Sequence, residues 1–422
     1  MQLRAPQRRW AGPAAALAFA IGLLLPGRAH AQAVTFDTSH MLYTEAPTRS
    51  HMTVYTPGVD LEAAPWDWLQ VRGGWEADVV SGASVSIKAG PAYRANHPGA
   101  DIVSTASVRD LRNQGHGGFT LKNDTVSLTG GYSYSTENDY RSNAFNVAAR
   151  TDLFQHDTQL EIAYARNFDE VCDRVQAATD PAPRWVALED HLGCFSSSSK
   201  IRVSLPIAID GFQGSWSQAW TPVFVTQLVY TAQIINGFQS DPYRSVVLAD
   251  GEKAQEHVPD NRARDALALR GNLFLKPIKA ALRLGVRGYW DTWAVSAGDV
   301  ELEFEKYLGE ALRVTLRGRI YTQSGASFWS DDYTGGNPPL GPKGQYWTAD
   351  RELSPFTSYT VGLRAIYSIT PAKGRILGIF TGLRGGLSAD MIQFDYTDYT
   401  LEGTALSNTR AWVFGLNLAA LF

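Results

Sequence analysis

The sequence predicts an all-β chain, an antiparallel up-and-down transmembrane β-barrel of about 16 strands, with about 14 as the alternative. Three observations predict it. Apolar and polar residues alternate with a period of two along most of the chain, which puts grease on one face of each segment and water or charge on the other. Many of these segments exceed the roughly 5 to 6 residues of a soluble strand and reach the ≈ 9 to 11 needed to cross a bilayer at a tilt. Beyond residue 31 no apolar run reaches the ≈ 18 residues of a helical span. With 422 residues, 44% hydrophobic, 38 bases against 42 acids and only 2 Cys, the composition excludes a disordered chain and a disulfide scaffold.

Taken in order, the first element is an address. Arg4, Arg8 and Arg9 form a basic start, residues 14–25 are apolar, and Ala29-His30-Ala31 places small residues where a signal peptidase reads, so 1–31 is expected to be a signal peptide cleaved after Ala31. The remaining 34 bases and 42 acids make an acidic exported chain, with no nucleic acid as partner. Residues 32–422 then read as one barrel. Leu69, Val71, Trp75 and Val79 alternate with Gln70, Arg72, Glu76 and Asp78, and the same rhythm recurs at 126–134, 159–164, 200–207, 267–275 and 282–290. Strands are expected at 34–44, 50–62, 67–80, 115–123, 125–137, 140–151, 158–168, 200–209, 221–235, 262–276, 279–293, 297–307, 312–323, 356–369, 375–387 and 409–422. Short turns such as Asn123-Asp124 and Pro277-Ile278 belong on the periplasmic side, and the longer connections 81–114, 169–199, 236–261, 324–355 and 388–408 belong outside.

The final strand sets Trp412, Phe414, Leu416, Leu418 and Phe422 on one face, a stripe that would aggregate in water unless lipid covered it. It resembles the C-terminal signal read by the barrel assembly machinery of Gram-negative outer membranes. Charge on the other face concentrates on three successive strands: Arg283 and Arg287; then Asp299, Glu301, Glu303 and Glu305; then Arg313, Arg317 and Arg319. With tight turns Arg287 would face Glu301, Arg283 would face Glu305, Glu303 would face Arg313 and Asp299 would face Arg317. Such a network either braces the wall or forms a constriction that filters ions.

Cys172 and Cys194 share one outer loop, and a disulfide between them is expected in an oxidising compartment. Asp169, Glu170, Asp173 and His191 near them meet no metal-ligand spacing, so no metal is assigned. No catalytic residue is assigned either: the His residues are scattered singly, no Gly-x-Ser-x-Gly, phosphate loop or dinucleotide fingerprint occurs, and Asp331-Asp332 reads as an exposed acidic loop. No cofactor is expected.

Several longer strings carry a resemblance. "TPGVD" at 56–60, "DVVSGAS" at 78–84, "YSYSTENDYRS" at 132–142, "YARNFDEVCD" at 164–173, "GFQSDPYRSV" at 237–246 and "YTQSGASFWSDDY" at 321–333 resemble the outer-membrane family called domain of unknown function 3570. The resemblance implies a barrel in the outer membrane of a Gram-negative bacterium, in contact with its lipid and in company with small lipoproteins, thioredoxin-like proteins and flavin-attaching enzymes. Two functions follow: a pore or transporter passing a small solute, or a non-catalytic scaffold for an exported redox system.

Overall fold

The computed structural model describes residues 33–45, 52–81, 85–87, 103–105, 109–137, 139–174, 202–242, 245–247, 253–330, 345–371, 373–397, 399–401, 404–405 and 408–422. The leader, Cys194, His191 and Asp331-Asp332 lie outside them. Sixteen strands form one closed barrel. They are β1 (Ala33–Glu45), β2 (Thr53–Trp66), β3 (Leu69–Ser81), β4 (Arg109–Lys122), β5 (Val126–Thr136), β6 (Tyr140–Leu153), β7 (Thr158–Arg174) and β8 (Arg202–Thr221). The second half holds β9 (Phe224–Gly237), β10 (Asn261–Leu275), β11 (Ala280–Asp291), β12 (Ser296–Leu308), β13 (Leu312–Gln323), β14 (Phe356–Ile369), β15 (Gly382–Tyr396) and β16 (Asn408–Leu421). Each pairs antiparallel with its neighbours in chain order, and β16 returns to β1, from Thr35 opposite Leu421 to Glu45 opposite Ala411. In hydrocarbon no water pairs an edge strand, so closure is what satisfies the backbone.

Alternation decides what each face meets. On β12 the outward Val300, Leu302 and Phe304 are exposed, while Asp299, Glu301, Glu303 and Glu305 point inward. Trp412, Phe414, Leu416 and Leu418 of β16 likewise face outward, and Ala411, Val413 and Ala419 are buried on the inner side. Phe422 donates its backbone N–H to Val34 at 2.9 Å and packs its ring on Phe380. Outward tyrosines mark the outer end of the belt, each donating its hydroxyl to a neighbour: Tyr132 to Asn143 at 2.8 Å, Tyr164 to Asp210 at 2.6 Å and Tyr230 to Asp265 at 2.5 Å. Trp66 stacked on Trp68, and Trp216 edge-on to Trp220, mark the other end. Two amphipathic rows bracketing an apolar band are how a barrel meets the two faces of a bilayer.

Several segments differ from expectation: β4 starts at Arg109, inside the expected loop 81–114, and β7 runs on to Arg174, which moves Asp169, Cys172 and Asp173 from the expected outer loop 169–199 into the wall. β8 runs on from Ile209 to Thr221 for 20 residues in all, and its apolar Ile207 points inward, onto Val171 and Ile235. This end lies beyond the outward row of Tyr164 and Phe212, so neighbouring strands supply the grease instead of lipid. β15 starts at Gly382, not at 375, because Arg375–Phe380 folds into a turn with Leu377 in the left-handed region at φ 53°. It then extends to Tyr396, which takes Asp390 out of the expected loop 388–408 and into the wall.

Candidate functional site

The lumen wall of β11, β12 and β13 is built by one device, charged residues at every second position. β12 is the acidic middle strand, with arginines on both sides. Its register differs from the tight-turn expectation. Arg287 lies opposite Asp299 and Arg283 opposite Glu303, while Glu303 lies opposite Arg317 and Glu301 opposite Arg319. The first turn is tighter than assumed and the second wider, since Arg287 pairs with Asp299 instead of Glu301 and Glu303 with Arg317 instead of Arg313. Asp291 accepts the backbone N–H of Trp293 and of Val295 at 2.9 Å, and Ala294 adopts φ 70°, which builds a three-residue turn. Between β12 and β13 the chain turns through Gly309 at φ 76°, with Leu308 opposite Leu312.

The side chains then reach diagonally. Arg283 donates to Glu303 at 3.0 Å and to Glu305 at 3.3 Å. Arg287 and Arg319 converge on Asp299, at 2.8 Å and 3.2 Å, and Thr315 donates to Glu305 at 3.2 Å. Arg313 reaches Glu305 only at 3.7 Å. Glu301 has Gly285 opposite it on β11, so its arginine faces it from one side alone. The ladder continues past its expected end: Arg317 approaches Asp390 of β15 at 3.4 Å, across Gly362 of β14, which lies opposite both. A Cβ at Gly362 would overlap the Asp390 carboxylate, so glycine is what lets this pair meet over the intervening strand. The same arrangement occurs across the lumen, where Asp60 of β2 and His116 of β4 meet at 2.8 Å above Gly74 of β3.

Over the outer mouth two loops join into a cap. His257 and Trp347 exchange backbone hydrogen bonds at 3.1 and 2.8 Å, Trp347 Nε1 donates to the Gln255 carbonyl at 2.8 Å, and Thr348 bonds Glu256. Val258, Trp293, Val295, Ala326 and Phe328 form the apolar centre beneath. One end of this strap is tied to β7, where Gln255 Nε2 donates to both carboxylate oxygens of Asp173 at 3.3 Å. The other is tied to β1, where Arg351 donates to Glu45 at 2.9 Å and lies over the Tyr396 ring at 5.6 Å, with Tyr43 donating to the same carboxylate at 3.0 Å. Burial opposes the Arg351 charge, but the fields of Tyr396 and Glu45 outweigh it and hold the guanidinium protonated above its ordinary range. Cys172 is fully buried beside Asp173 at the end of β7; its expected partner lies outside the described residues.

No curated protein matches this chain. Among solved structures it is similar to a bacterial polysaccharide outer membrane secretin, at TM-score 0.46 and 8% identity, covering 92% of this chain and 98% of that one. It is also similar to CdiB from Acinetobacter baumannii (TM-score 0.44, 9% identity, 92% and 60% covered) and to the ferric enterobactin receptor of Pseudomonas aeruginosa (0.42, 11%, 90% and 59%). The chain spans about three fifths of the length of the last two. A family model matches residues 14–376, and the chain belongs to that family, described as Protein of unknown function (DUF3570).

Proposed function

We propose that this barrel is a pore or transport protein that passes a small solute across the outer membrane of a Gram-negative bacterium. The observation that carries the reading is the lumen wall: a barrel of this strand number has room for an aqueous channel, and β11 to β13 line it from mid-height to the short turns with ionisable side chains instead of a packed apolar core. The cap covers part of the outer mouth and so sets what enters. The chain reaches its membrane through the leader cleaved after Ala31, and the Trp412–Phe422 stripe hands it to the assembly machinery. A Cys172–Cys194 bridge staples the loop after β7, stabilising it by about 3 kcal/mol. Purified protein in planar bilayers is expected to carry discrete ionic currents, larger when residues 345–355 are replaced by a short linker. A bilayer that stays sealed with heat-modifiable, folded barrel inserted refutes the pore.

A further inference from the structure

The ladder's charges are not presented to the lumen equally. The side chains of Arg283, Arg287, Arg313, Arg317 and Arg319 are 21% to 37% exposed, whereas their partners Asp299, Glu303, Glu305 and Asp390 are 7% to 14% exposed. The acids sit low on the wall and the guanidinium heads crest over them from both flanking strands. Formal charge along the ladder is near balance, yet a solute passing along it, from mid-height down to the short turns beside Arg283 and Arg313, meets N–H donors first. Two of the arginines are also under-paired within the wall: Arg313 and Arg317 stand 3.7 and 3.4 Å from their nearest carboxylates, and neither Nε–H, itself buried, finds an acceptor there, so these heads are held less firmly than that of Arg287.

We propose that this crest is an anion-selective filter that takes small solutes bearing a carboxylate or phosphate group, with Arg283 and Arg313 as its most exposed members. Planar guanidinium forks match two oxygens of such a group at once, which a point charge does not. The inference rests on the pore reading, and the tests separate the two. In bilayers under a potassium chloride gradient, the reversal potential should report chloride preferred over potassium by about threefold or more, the scale a modest lumen potential produces. Inorganic phosphate should block the current, and phosphate should bind the detergent-solubilised protein in calorimetry. In Arg283→Gln/Arg313→Gln the ion preference falls toward unity and phosphate binding is lost. In Arg283→Lys/Arg313→Lys the chloride preference stays while phosphate binding weakens about tenfold. A cation-preferring current leaves the pore standing and overturns the filter. A sealed bilayer with phosphate still bound, and lost in the Gln variant, removes the pore and keeps the oxyanion site. A sealed bilayer without phosphate binding removes both.

Discussion

The ladder on the lumen wall and the strap at the outer mouth use the same ion-pair chemistry in opposite surroundings. Arg283 and Glu303 meet in the lumen with the arginine 37% exposed, while Arg351 and Glu45 meet with side chains 8% and 1% exposed. Water screens the first pair and leaves it worth little to stability, so its value is the field it shapes. The second pair is wrapped by Tyr43 and Tyr396, and removing either member strands a charge away from water. One region therefore keeps its arginines in contact with solvent, and the other holds both members of its pair away from it.

The sharpest test of that contrast is Arg351→Ala. It should weaken docking of the strap by about 3 to 5 kcal/mol, because Glu45 is left buried and unpaired. The checking measurement is proteolysis of folded protein within 345–355, which should become fast. Adding Glu45→Gln should restore part of the protection, and equal cleavage in both variants would make the pair incidental. Gly362→Ala comes next. Overlap with the Asp390 carboxylate should lower stability by about 1 to 3 kcal/mol in detergent unfolding, and Asp390→Ala in the same background should relieve it. His116→Ala, which removes the contact to Asp60 across Gly74, should cost about 1 kcal/mol because the acid stays partly hydrated. Smallest of all, Glu303→Gln should change stability by less than about 1 kcal/mol and raise chloride preference further. A Glu303→Gln variant as unstable as Arg351→Ala would erase the distinction between the two regions.

How far the sequence could be read depends on what each element answers to. The bounds of β13 and β14 coincide with the alternation at 312–323 and 356–369, because outward Leu316, Ile320, Val361 and Leu363 leave no ambiguity of face. The alternation at 200–207 predicts a strand only to 209, whereas β8 continues through Asp210, which faces outward and is held by Tyr164 and by Arg166 at 3.1 Å. The strand expected at 375–387 takes in Ile376, Leu377 and Ile379, which are apolar but lie in a turn. Membership of the ladder was legible for the nine charges on β11 to β13 and missed for Asp390, whose strand was cut at 387. Which acid meets which arginine differs from the expectation, since the side chain of Asp291 places one turn and Gly309 the next.

By itself the sequence determined that the chain is a barrel with grease outside and charge within, because a two-residue period assigns every side chain to a face whatever the neighbours do. Tertiary structure alone decided the register, the arginines cresting over the acids and the strap from Asp173 to Glu45. Those depend on turn width and on contacts between residues far apart in the chain, such as Glu45 and Arg351, and no local pattern encodes where two distant segments meet.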